Sequence, residues 1–85
     1  MTKKEIEKIL TTVNPRFADF ISIREDENSQ ISDFTIHWRG LSDQDNDAFD
    51  FLHKCSFALS QANINHTFSF FNTLEKRGPL IHVHK

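Results

Sequence analysis

Ile31-Ser32-Asp33-Phe34-Thr35-Ile36-His37-Trp38-Arg39 is the stretch that decides the fold. Phe34, Ile36 and Trp38 alternate with Asp33, Thr35, His37 and Arg39. Successive side chains on a strand point to opposite faces, so a period of two marks a strand with one buried face and one open face. Antiparallel sheets tolerate such one-sided burial, whereas parallel sheets are covered on both sides. The buried face needs a cover, and amphipathic helices are the economical one.

The flanking sequence supplies both the partner strands and the cover. Residues 26–30 are polar turn formers, and residues 17–25 before them are expected to form the neighbouring strand. The alternation there is imperfect. Phe17, Ile21 and Ile23 share a parity with Asp19 while Phe20 sits on the other, which leaves a bulge and two-sided burial both open. Further back, Thr2-Lys3-Lys4-Glu5 has the spacing of a capping box. Ile6, Ile9, Leu10 and Val13 follow at i, i+3, i+4 and i+7, the stripe of an amphipathic helix. Asn14-Pro15 ends it, because the residue before proline avoids helical dihedrals.

Downstream, Gly40 closes the hairpin and Ser42 caps a second helix, with Asp45 three residues on. That helix is expected to run to about Ala62, with Asn63 and Asn65 flanking Ile64 at its end. Residues 66–72 read as a third strand. A turn through Glu75-Lys76-Arg77-Gly78-Pro79 leads to a short last strand, Leu80 to His84. The expected fold is therefore α+β in a single domain over residues 1–85. Its order is α-β-β-α-β-β, with two helices on one face of a four-stranded, mainly antiparallel sheet. Moving the last strand to the front would give β-α-β-β-α-β, the ferredoxin-like order, a relation of topology that argues for no function.

Composition excludes several function classes. Leu, Ile, Val and Phe fill 25 of the 85 positions, enough for one modest core and too many for a disordered chain. Glycine occurs only at Gly40 and Gly78, which rules out a glycine-rich phosphate loop. The single cysteine, Cys55, rules out an intrachain disulfide and a multi-cysteine zinc site. No run is long and apolar enough to span a membrane. The start of the chain lacks the apolar stretch of a signal peptide, so the expected location is cytoplasmic. No cofactor motif is present, and none is expected.

Two faces remain as candidates. At about 100° per residue, Ala48, Phe51, Leu52, Cys55, Ala58, Leu59 and Ala62 form the core stripe of the second helix. Phe49, His53 and Phe57 form a separate line at i, i+4 and i+8, with Phe57 nearly opposite the core. The line is flanked by Asp43, Asp45, Asp47 and Asp50, part of an acidic segment (residues 19–50) with nine acidic and two basic side chains. Carboxylates early in a helix suit its dipole, and they also suit a basic partner. The reading is a small non-enzymatic binding protein acting through protein–protein contact, of adaptor, immunity or inhibitor type. A second copy of the chain counts among the partners this face fits. Nucleic acid is disfavoured by the formal charge of −2.

The alternative face is the open side of the sheet. His82 and His84, two apart on a strand and so ~7 Å from each other, face outward if Ile81 and Val83 face inward. His37 and Arg39 join them if the strands are neighbours. His37, His82 and His84 then suggest a metal site, since imidazole suits zinc, nickel or copper. With Arg39 they also suggest metal-independent acid–base cleavage of a phosphodiester, as in a ribonuclease. Plain decoration of a solvated sheet face accounts for them most simply. A sheet face that stacks RNA bases is a further alternative, although Trp38 has core parity and Phe71 alone points outward on the third strand. Cys55 reads as a buried apolar residue, and His66 as inward-facing or at the strand end.

Overall fold

The computed structural model describes residues 2–39, 45–72 and 77–84. It begins with helix α1, Lys3–Val13. The Thr2 hydroxyl accepts the Glu5 N–H at 3.3 Å, and Asn14, extended ahead of Pro15, closes the helix by donating its N–H to the Leu10 carbonyl. Strands β1 (Ile21–Glu25) and β2 (Ser32–Trp38) follow, then helix α2 (Asp45–Gln61), strand β3 (His66–Asn72) and strand β4 (Arg77–His84). The sheet order is β1-β2-β4-β3, with all three pairings antiparallel. The fold is the expected α+β arrangement, with α-β-β-α-β-β order and two helices against one sheet face.

Register fixes the two faces. Ile23, Ile36, Ile81 and Phe68 lie across from one another on the covered side. Ile36 and Ile81 are fully buried there with Ile6 and Leu10 of α1 and Leu52, Cys55 and Leu59 of α2. At roughly 25 cal/mol per Å² of apolar area removed from water, each such side chain contributes about 1.5–3 kcal/mol.

Two boundaries differ from the sequence expectation. The strand expected over 17–25 begins only at Ile21, because Phe17–Asp19 form a 3-10 turn. The Asn14 side chain accepts the Arg16 N–H at 2.9 Å, and the Arg16 guanidinium bonds Asp19 at 2.9 Å. In a 3-10 turn, residues three apart share a side, so Phe17 and Phe20 both pack against the core. Neither a bulge nor two-sided burial is needed. The last strand starts at Arg77 rather than Leu80, so Gly78 and Pro79 pair with Phe71 and Phe70. Pro79 lies one residue beyond the last β2–β4 pair, His37 with Leu80. There its missing N–H takes no bond from that side of the ladder.

The expected hairpin glycine, Gly40, and the helix cap, Ser42, lie outside the described residues. α2 ends as expected near Ala62, through a Schellman motif. Asn63 has a positive φ of 60°. Its N–H donates to the Ser60 carbonyl, and the Ile64 N–H donates to the Leu59 carbonyl, both at 3.0 Å.

Candidate functional site

The outer face of α2 carries the aromatic line, and the structure divides it. Phe57 is 63 % exposed and Phe49 45 %, with His53 exposed between them. Phe49 leans over the β3 side of the sheet, where its ring meets Phe68 edge-on at 5.4 Å. His53 closes this group at 6.1 Å from Phe49 and 6.0 Å from Phe68. Phe49 and His53 are thus half anchored, while Phe57 stands out on the side away from the core. Of the acidic flank, Asp47 and Asp50 are exposed, and Asp50 pairs with Lys54 at 3.2 Å. Asp43 and the side chain of Asp45 lie outside the described residues.

The open sheet face holds a hydrogen-bonded network centred on a carboxylate. Asp26 accepts from the Thr35 hydroxyl at 2.6 Å, the Ser32 hydroxyl at 2.8 Å and the Arg24 Nε at 3.1 Å. Its side chain is only 9 % exposed. Burial pushes the Asp26 carboxyl up, but the hydrogen bonds from Thr35, Ser32 and Arg24 and the Arg24 charge outweigh it and hold the pKa below the ordinary 3.8. An ionised carboxylate only accepts, so the Thr35 proton points to Asp26. His82 Nδ1, 3.1 Å from the same hydroxyl, must then be the donor. That assigns the Nδ1–H tautomer to His82 and leaves Nε2 as its proton-accepting nitrogen.

The other two histidines of this face are each engaged with a hydroxyl. His37 Nε2 is 3.0 Å from Ser22 Oγ, and His84 Nε2 bonds the Thr67 hydroxyl. β2 and β4 are neighbours, as the clustering of His37, His82 and His84 requires. Yet among the described residues no three His, Cys, Asp or Glu side chains stand together as a metal ion needs. Arg39 follows the end of β2 and is exposed, its backbone N–H donating to the Phe20 carbonyl at 2.8 Å. Phe71 pairs with Gly78 in the ladder, and its side chain lies outside the description.

His66 faces inward. Its Nδ1 donates to the Ile64 carbonyl at 2.9 Å, so Nε2 accepts from the Ser56 hydroxyl at 2.6 Å. Ser56 therefore ties α2 to β3 through His66 and not through His53. A serine hydroxyl on a histidine resembles part of a nucleophilic triad. Here a carbonyl stands where a carboxylate would support the imidazolium. Cys55 is fully buried, and desolvation pushes its thiol up to about 12, so it stays protonated and inert.

The chain matches no family model, no curated protein and no solved structure.

One further feature escapes the sequence reading. A recess of about 250 Å³ opens where α1, the 3-10 turn, β2 and the start of α2 meet. Asn14, Phe20, Trp38, Asp47 and Phe51 line it. Phe20 and Trp38 stack at 5.7 Å with planes 6° apart, and Phe51 lies 5.9 and 6.0 Å from them. Among the described residues no helix is long and apolar enough to cross a membrane.

Proposed function

We propose that this chain is a small binding protein that acts through protein–protein contact, with the outer face of α2 as its contact surface. One observation carries the reading: Phe57 is 63 % exposed on a helix whose opposite side lies in the core. Two half-anchored aromatic neighbours, Phe49 and His53, widen that apolar centre. Aromatic side chains supply much of the energy of protein interfaces. Asp47 and Asp50 at the N-terminal half of the helix favour a partner with an apolar hollow and a basic rim.

The test begins by locating the partner. A photo-crosslinking residue at position 57, with one at exposed Thr11 as control, traps what touches each face in cells producing the chain. The trapped protein is then purified and titrated against the wild type and Phe57→Ser. The proposal expects affinity to fall at least tenfold in the variant while its melting temperature stays put. Equal affinity would overturn it. Light scattering decides whether the partner is a second copy of the chain, and the same variant then tests that dimer.

A further inference from the structure

We propose that a second copy of this chain pairs along the outer edge of β3, antiparallel and about a twofold axis near the middle of that strand. The two four-stranded sheets then join into one of eight strands. The proposal goes beyond the Phe57 contact: it uses the β3 flank of α2 and leaves Phe57 outside.

The backbone comes first. Among the described residues no strand lies beyond β3 in the order β1-β2-β4-β3. The His84 N–H donates to the Asn65 carbonyl at 2.9 Å, and the β3–β4 register runs unbroken from His66–Val83 to Asn72–Arg77. Bonded and unbonded pairs alternate in an antiparallel ladder, so Thr67, Ser69 and Phe71 bond β4, while His66, Phe68 and Phe70 turn their N–H and C=O groups to the outer edge. Such an edge is a template for another strand, and folds guard it with charges, proline or bulges. The opposite edge of the sheet, β1, is guarded by Arg24 and Glu25, both exposed. β3 reads His-Thr-Phe-Ser-Phe-Phe-Asn, with no carboxylate, lysine, arginine or proline and no shift in its register. Two copies of formal charge −2 therefore bring none of their carboxylates together along this strand. A twofold axis makes the strand its own antiparallel complement.

The helix above the sheet has a matching flank. Leu52, Cys55 and Leu59 of α2 share the core with Ile81 and Val83 of β4. On the β3 side Phe49 meets Phe68 edge-on at 5.4 Å, and the Ser56 hydroxyl bonds His66 at 2.6 Å. α2 thus stands over the β4–β3 pair, and Phe51 turns to the other flank, against Phe20 and Trp38. The β3 flank carries Phe49, His53, Ser56 and Ser60, at the four-three-four spacing of a helix-packing seam. Phe49, His53 and Ser60 are exposed there and Ser56 is half-buried. A twofold axis through the β3 edge sets the two α2 helices side by side and antiparallel. Phe49 and His53 of each copy then face Ser60 and Ser56 of the other, large against small. With strands ~4.8 Å apart, helices centred over each β4–β3 pair lie about 10 Å from one another, and packed helices lie 8–10 Å apart. Strand and helix are therefore self-complementary about the same axis, a match that singles out a second copy over an unrelated strand.

The experiment measures the mass of the whole chain by light scattering from the micromolar into the millimolar range, where a dimer is expected. Ser69 lies half-buried at the middle of β3 and comes close to its own copy across the axis. Ser69→Lys and Ser69→Glu should each weaken the dimer at least tenfold by setting like charges together. Mixed in equal amounts, the two variants should pair with each other. Hydrogen exchange on the wild type needs no substitution. The amides of His66, Phe68 and Phe70 should be protected at high concentration and lose that protection on dilution, while those of Thr67 and Ser69, bonded to β4, keep theirs. A chain that stays monomeric into the millimolar range overturns the proposal. So does exchange at the three edge amides that ignores concentration, or a mixture that pairs no better than either variant alone. Phe57→Ser should leave the dimer unchanged; a dimer that needs Phe57 and tolerates both charges at position 69 belongs to the outer face of α2 and overturns the β3 seam. The crosslink at position 57 reads the α2 contact separately, so either surface can fail while the other stands.

Discussion

Asp26 shows how one side chain changes the character of a face. Thr35 has the parity of an outward, solvated residue, yet it is only 4 % exposed. The loop after β1 brings Asp26 back over the sheet, and Thr35, Ser32 and Arg24 converge on its carboxylate. Hydrogen bonds to a charged group contribute about 1.5–3 kcal/mol each. Asp26→Asn keeps one acceptor oxygen of two, so a loss of about 1–3 kcal/mol is expected. The pH dependence gives a sharper signature. The folded carboxyl titrates below the ordinary 3.8 because burial, which raises it, is outweighed by its hydrogen bonds and by Arg24. Its contribution is therefore full above the unfolded value and is lost as pH falls through the folded one. Urea midpoints taken from neutral pH down to about pH 3 should fall more steeply for the wild type than for Asp26→Asn. Parallel profiles would mean that the carboxylate is not the centre of the network. No periodicity marks this residue, because its partners are set by how a loop folds back.

At the scale of elements, α2 offers the clearest test of a local rule. Its end depends on Asn63 at φ 60°, a left-handed conformation that asparagine tolerates and β-branched residues do not. Asn63→Gly should be close to neutral, since glycine adopts this region freely but loses more entropy on folding. Asn63→Val should cost about 1–2 kcal/mol, read as a lower urea midpoint with an unchanged slope. Equal midpoints for the two variants would show that the motif does not terminate the helix. This end was legible in advance because Asn63-Ile64-Asn65 places a turn former where the apolar stripe stops. The 3-10 turn at Phe17–Asp19 was less so: a strand and a short turn both accept the apolar residues there. The spacing of three between Phe17 and Phe20 was the signal available. The exposure of Phe57 followed from helical angle alone. The partial cover of Phe49 by Phe68 did not, because it depends on where β3 lies beside α2. The recess was equally hidden, being made of side chains from four separate segments.

For the whole molecule, strand order and charge act together. The order β1-β2-β4-β3 puts His37 of β2 and His82 and His84 of β4 on adjacent strands of the open face. The acidic segment, residues 19–50, includes Asp47 and Asp50 on exposed positions of α2. The exposed carboxylates of α2 and the histidines of β2 and β4 thus lie on different elements. Overall charge follows from the formal −2, the five histidines and the isoelectric point near 6.2: protonating two of the histidines cancels the excess of carboxylates. Electrophoretic light scattering should find zero mobility near pH 6, and solubility should pass through its minimum there, since proteins near zero net charge associate most readily. Asp50→Asn should move the crossing upward. A crossing that stays below about pH 5 would contradict the charge balance of the sequence. The same titration bears on partner binding. An acidic helix start that steers a basic partner loses its long-range advantage once the molecule's net charge reverses. On the proposed α2 contact, association should slow on mild acidification as well as on adding salt, with dissociation nearly constant.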